Sequence, residues 1–285
     1  MRVCELVDDT PYDFDIKVVL KTFGLMSKVN LNIKEEAIRT EHKVLVRNKQ
    51  TQPLLRKLDS ALIPCTHREW LNKRGIEVER AYSLDYEILN LQDMLDLYII
   101  PGDHIVDRFG IKPIEGPVFD DRRNGKLFGV CIRNIATDLN YASAEKFTIS
   151  NFGWYLNGYD LSGPNDEVYI VEGVFDAIAM RKSGFNAIAI ASACPTPFQL
   201  ACIMYKFNNI KLCLDNDLFG AIGAFMTHEA TGFPIYQTEL KDPGSYHDSN
   251  VKLVEIQADE LKYRLDHEIA EYNMSDRKPR PMSYN

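Results

Sequence analysis

The chain has 285 residues, with 33 Lys+Arg against 41 Asp+Glu and a formal charge of −8. A content of 45% hydrophobic and 26% charged residues belongs to an ordinary globular chain with material for one or two domains, which excludes collagenous, disordered and disulfide-scaffold classes. No run approaches the ~18 apolar residues of a membrane span, no basic-then-apolar leader opens the chain, and taken whole the acid excess argues against a nucleic-acid partner.

In chain order, the first 60 residues give weak signals. Residues 18–23 and 44–46 read as short strands and 33–39 as a charged helix. Charge is uneven: from Lys43 to Arg74 eight cations meet two acids, a net of +6, whereas from Tyr82 to Asp121 nine acids meet two cations, a net of −7. The first stretch is either a solvated face or a track for a phosphate backbone that the global charge conceals. Residues 67–75 read as a helix capped by Thr66 and stopped at Gly75, and 89–98 as another. From Pro101 to Asp160 the pattern is short strands with tight turns, including an Asn124-Gly125 hairpin signal between apolar runs.

From Val168 onward, apolar runs alternate with helical segments: strand 168–171, helix 175–183, strand 187–191, helix 197–207, strand 210–214, helix 219–228 and strand 235–240. Strand-helix repeats require parallel pairing with right-handed crossovers, and near-continuous apolar strands fit burial on both faces. Residues 252–272 read as a charged amphipathic helix, followed by a loose tail from Ser275. Six cysteines, at 4, 65, 131, 194, 202 and 213, form no C-x-x-C pair, so no zinc is expected. Unpaired thiols fit a reducing, cytoplasmic location.

In such a sheet functional groups gather at the carboxyl ends of the strands. Glu172 directly follows the first strand and Asp176 lies one helical turn on. Asp215 and Asp217 end the third strand, and Asp242 follows the fourth. Taken singly, Asp176 reads as a helix-dipole acid and Asp217 as an N-cap. Convergence is what those readings leave unexplained. Five carboxylates at one edge repel unless protonated or bound to cations, and an oxygen-only set suits one or two Mg²⁺ or Mn²⁺ ions positioning phosphoryl oxygens.

The segment Glu172-Gly173-Val174-Phe175-Asp176-Ala177 with the later Asp215-Asn216-Asp217 resembles the TOPRIM fold of primases, topoisomerases and related nucleases. Lys241-Asp242-Pro243 resembles the third acidic motif of bacterial- and phage-type primases. Upstream, residues 118–133, the Lys146-Phe147-Thr148 block and residues 70–76 resemble the opening of the primase RNA-polymerase core, so the resemblance spans Pro64 to Asp248. It implies an α/β chain: an α+β N-terminal subdomain followed by a TOPRIM, Rossmann-like parallel sheet with flanking helices. The corresponding units are 1–63, a primase-core subdomain at 64–163, a metal-binding TOPRIM domain at 164–250, and a helix with a loose tail at 251–285.

By the same resemblance, Asp215, Asp217 and Asp242 bind metal, Glu172 is a further ligand or the general acid/base, and Asp176 supports the cluster. Arg133, Lys146 and Lys241, with Arg122 and Arg123 at the hairpin, meet nucleotide or template phosphates. The implied activity is synthesis of short RNA primers from NTPs on single-stranded DNA. The alternatives are a metal-dependent TOPRIM nuclease and a non-catalytic adaptor of a replication complex. The sequence departs from the primase pattern in lacking a zinc ribbon, in carrying Asn216 where Gly is common, in Leu218-Phe219 after the Asp-x-Asp motif, and in having no second acid after Pro243. A compact chain without the ribbon suits a phage-type protein whose start-site module, or replicative helicase, is a separate partner.

Overall fold

The computed structural model describes residues 53, 55–77, 80–85, 87–88, 116–133, 135, 146–150, 155–245 and 250–274. The strands expected at 18–23 and 44–46, the helices expected at 33–39 and 89–98, and the tail from Ser275 lie outside them.

The first layer is an antiparallel meander: β1 (Leu62–Pro64), β2 (Tyr82–Leu84), β3 (Val118–Arg123), β4 (Lys126–Arg133) and β5 (Lys146–Ser150), neighbours in space in chain order. Asn124 and Gly125, with φ of 49° and 77°, make the turn between β3 and β4 that two positive φ values require and that Asn-Gly supplies at least cost. The short helix α1 (Arg68–Asn72) starts after His67 with no side-chain cap. Thr66, expected to cap it, instead places Oγ1 3.0 Å from Ser83 Oγ and ties the helix to β2. Leu55 and Leu58, in a helical segment over 55–60, pack with Leu84, Val118, Val130 and Ile132 behind the meander.

The second layer is a sheet of β6 (Glu167–Val171), β7 (Asn186–Ala189), β8 (Asn209–Leu212), β9 (Ile235–Thr238) and β10 (Leu253–Ile256), in the spatial order β10-β9-β8-β6-β7. The first four strands pair in parallel and β10 adds an antiparallel edge. Helices α2 (Val174–Lys182), α3 (Pro197–Lys206) and α4 (Leu218–Thr231) make the crossovers, and α5 (Ala258–Met274) follows β10. The strand-helix alternation read from the sequence is present. The expected helix over 252–272 is corrected: its first residues are a strand, because Leu253 to Ile256 pair with β9 and extend the sheet.

Burial divides by face. Ile170, Ile188, Leu212 and Ile235 pack against Leu200 and Ile203 of α3, Ala221 and Ala224 of α4, and Leu261 and Leu265 of α5. On the opposite face Tyr169, Val171 and Ala189 meet Ala177, Ile178 and Met180 of α2 together with Leu71, Phe119 and Cys131 of the first layer. One core thus spans both layers. Gln199 is fully buried and satisfies two carbonyls at once, donating to Tyr155 O at 2.7 Å and Ile190 O at 2.9 Å.

Candidate active site

Strands β6 and β8 are hydrogen-bonded neighbours with Ile170 opposite Leu212, and Cys213 N donates to Ile170 O at 2.8 Å. Glu172 and Asp215 therefore leave the sheet side by side. β7 lies on one side of β6 and β8 on the other, so the connection through α3 reverses direction here. Such a reversal opens a crevice at the carboxyl ends of the strands.

Local bonds fix each acid. Glu172 Oε1 accepts from Asp215 N at 3.4 Å. Asp176 bridges two segments: Oδ2 accepts from Gly173 N at 2.7 Å and Oδ1 from Gly244 N at 2.9 Å, so it holds the turn after Asp242 against the start of α2. Asp217 caps α4, with Oδ1 accepting from Gly220 N at 3.1 Å, while Lys241 Nζ approaches Oδ2 at 3.6 Å. Asp242 Oδ1 accepts from Ser245 Oγ at 2.8 Å. The turn that carries Asp215 and Asp217 is drawn to Lys241 by the bond from Asn216 N to Lys241 O at 2.6 Å. Arg264 of α5 donates to Asn216 Oδ1 at 3.1 Å, which gives a role to the Asn that stands where Gly is common.

All five predicted carboxylates meet electrostatically at Asp215. Burial and then repulsion from Asp176, Glu172, Asp242 and Asp217 push its carboxyl up to about 8. Its Oδ1 is buried and has no hydrogen-bond partner. Lys241 is held above its ordinary value, chiefly by Asp217. Close packing enforces the cluster at Gly220, where a Cβ would fall 2.3 Å from Asp215 O and 2.7 Å from Glu172 Oε1.

The donor set fits a hard divalent cation: it is all oxygen, its charge is concentrated, and its most buried acid keeps an orphaned oxygen. Among the described residues no three Asp, Glu, His or Cys side chains already enclose one ion position. Asp217 and Asp242 are turned to Gly220 and Lys241 and to Ser245.

The expected cations separate into two groups. Arg133, at the end of β4, places its guanidinium carbon 6.0 Å from the ring centroid of Phe175, between Glu172 and Asp176 in the chain. The β4–β5 register sets Lys146 opposite Arg133. By contrast, Arg123 is corrected. Arg123 is 0% exposed and paired with Asp121 at 2.7 Å, its ring neighbours being Phe128 and Tyr159. Burial lowers the affinity of Arg123 for its proton and Asp121 more than restores it, so the pair is a structural tie with no access to a strand. Arg122 is bound to Asp59 at 2.5 Å and Asp120 at 2.7 Å.

Two residues of the 70–76 segment that were given no site role from the sequence join the edge. Arg74 lies 4.4 Å over Trp70 and 5.6 Å from Phe175, and Trp70 packs on Phe175 at 5.8 Å. A Trp on a short helix with an Arg four residues on, in the turn that follows, was the available signal.

No protein-family model matches the sequence, and no curated protein matches it. Solved structures do. A DnaG primase catalytic domain bound to single-stranded DNA is 18% identical and superposes with a TM-score of 0.53, covering 78% of this chain and 80% of that one. A DnaG catalytic core is 16% identical with a TM-score of 0.53, covering 87% of this chain and 83% of that one. The chain has the fold of the DnaG primase catalytic core. The α/β layers, antiparallel then mostly parallel, are those of the DnaG core, and the resemblance seen in residues 64–248 extends to the architecture. Among the described residues no helix is long and apolar enough to cross a membrane.

Proposed function

We propose that this chain is a primase-type nucleotidyltransferase that joins ribonucleotides on single-stranded DNA. The carrying observation is the carboxylate edge at the sheet's reversal point, where Asp215 holds a buried, unpartnered oxygen among four other acids. Glu172, Asp215, Asp217 and Asp242 would hold one or two Mg²⁺ or Mn²⁺ ions, which supply charge neutralisation at the phosphoryl oxygens. Asp176 holds the backbone on which Asp242 rides. Glu172 is the candidate base for the 3′-hydroxyl proton, and Arg133, Arg74 and Lys146 stand on the side from which triphosphate or template phosphates approach. Lys241 meets phosphate once it leaves Asp217. The DNA-bound DnaG structure supports a single-stranded template for this fold.

Start-site choice and strand delivery are assigned to a partner, either a replicative helicase or a separate zinc-ribbon chain. The test is incubation of purified protein with NTPs, Mg²⁺ or Mn²⁺ and varied single-stranded templates. Oligoribonucleotides are expected, with loss of at least about a hundredfold in Asp215→Asn, the scale seen when an electrostatic stabiliser is removed. Labelled DNA that is shortened in metal without NTPs, with no synthesis, would replace the polymerase by a nuclease. A chain inert in both assays whose carboxylate variants retain full function in vivo would be an adaptor.

A further inference from the structure

At the far end of α2 from Asp176, a cation is built into the fold without a counter-charge. Arg181 donates from Nη1 to Ala187 O at 2.9 Å and from Nη2 to Asn157 Oδ1 at 2.9 Å, while its Nε is buried with no acceptor. No carboxylate lies within ion-pair distance of it among the described residues. The backbone is shaped to admit it: Gly158 has φ +94°, and a Cβ there would sit 2.2 Å from Arg181 Nη1 and 2.7 Å from Ala187 O. Burial, and then the like charge of Arg80, lower its guanidinium to about 10.

Arg181 and Arg80 line a cavity of about 390 Å³ with Asn157, Gly158 and Arg122, a volume within the range of small-ligand sites. The two acids at its wall are already engaged. Asp120 is bound by Arg122 at 2.7 Å. Asp160 accepts from Asn124 N at 2.6 Å and faces Lys206 at 3.6 Å. Arg80 is paired with Glu77 at 2.7 Å, whereas Arg181 beside it has no carboxylate among the described residues; an oxyanion in the space would supply that counter-charge, and planar guanidinium donors match phosphate oxygens.

We propose that the cavity between the β3–β4 hairpin and the last turn of α2 is a phosphate-binding site, with Arg181 as its buried cation and Arg80, shared with Glu77, as its exposed one. It lies at the hairpin end of β4, whereas Arg133 and the carboxylate edge lie at the other end, so it does not depend on the chemistry proposed there. The phosphate belongs either to a nucleic-acid strand or to a free phosphate or nucleotide.

The test uses the full chain in EDTA, which keeps the carboxylate edge metal-free. Inorganic phosphate is titrated at constant ionic strength while arginine Nε–Hε signals are followed by ¹⁵N NMR, with Arg181→Lys assigning the Arg181 signal. A saturable shift of that signal is expected with phosphate and not with chloride. Arg80→Ala, a change at an exposed side chain, is expected to weaken the response several-fold. In a second arm, fluorescein-labelled single-stranded DNA is bound at several salt concentrations. If Arg80→Ala also weakens the strand and reduces the salt slope by about one, the phosphate is that of nucleic acid. Weakened phosphate with unchanged strand binding assigns a free phosphate or nucleotide. The absence of a saturable shift, or equal titrations for Arg80→Ala and the parent chain, would overturn the proposal.

Discussion

Asp215 couples the candidate site to folding through its proton. Folded, its carboxyl stands near 8 against an ordinary value of 3.8. Between those values the folded chain holds a proton that the unfolded chain has released, so the metal-free protein loses stability as pH rises from about 4 to about 8. Asp215→Asn removes that slope. In EDTA, urea unfolding is expected to find the variant equal to the parent near pH 4 and about 1–2 kcal/mol more stable near pH 8, less than full linkage because the carboxyl is partly solvated. Mg²⁺ is expected to stabilise the parent and not the variant; a difference that does not vary with pH would refute the account. The Asp120-Asp121-Arg122-Arg123 run holds a second lesson at this scale. Its two acid–base pairs are two apart, so the pleat sends one pair to each face. Which pair is buried depends on the second layer, and for that reason Arg123 read as a hairpin-tip cation in the sequence. Arg123→Met is expected to cost about 3–5 kcal/mol by leaving Asp121 alone in the core. Arg122→Ala, breaking part-exposed pairs, should cost about 1 kcal/mol or less in the same urea assay.

At the scale of elements, the legible parts were those with one dominant signal. Apolar runs of strand length marked β6 to β9, Asn-Gly marked the hairpin turn, and Asp217 and Gly232 bracket α4 as cap and left-handed stop. The acid positions were legible because chain order alone puts them after strands. β10 was not, since Leu253-Val254-Glu255-Ile256 reads as the first turn of a charged helix until β9 offers it a partner. Nor did the sequence announce Ala191, which follows β7 with φ +58° and donates its N–H to Glu172 O at 2.8 Å. A non-Gly residue there is strained by about 1 kcal/mol, and the bond ties the strain to the backbone of a candidate catalytic acid. Ala191→Gly is expected to gain up to about 1 kcal/mol, partly offset by unfolded-chain entropy, read as a higher melting temperature. Gly220→Ala acts in the opposite sense: its Cβ contacts at Asp215 and Glu172 should abolish synthesis in a chain that still gives native-like near-UV circular dichroism.

For the whole molecule, the two layers and the C-terminal helix are joined by shared apolar packing. Leu71, Phe119 and Cys131 of the first layer share a core with Val171, Ala177 and Met180 of the second, and the Asp121–Arg123 pair reaches α3 through Cys202 at 3.6 Å. The C-terminal segment is part of this packing: α5 buries Leu261 and Leu265 against the face that holds α3 and α4, and its Arg264 bonds Gln237 of β9 as well as Asn216 at the carboxylate edge. A chain ended after Asn250 would lose β10, uncover β9 as a sheet edge and strip α4 of its cover. Loss of two fully buried leucines alone costs on the order of 4–6 kcal/mol, comparable with the whole stability of many domains. Expression of residues 1–250 is therefore expected to give aggregated or molten protein, with exposed apolar surface detected by dye binding, whereas residues 1–274 should unfold in a single transition. Arg264→Ala in the full chain separates packing from positioning. It should leave the urea midpoint nearly unchanged yet lower primer synthesis several-fold, because Asn216 and the Asp215–Asp217 turn lose their outer brace. Equal synthesis by Arg264→Ala and the parent would show that α5 serves the fold alone.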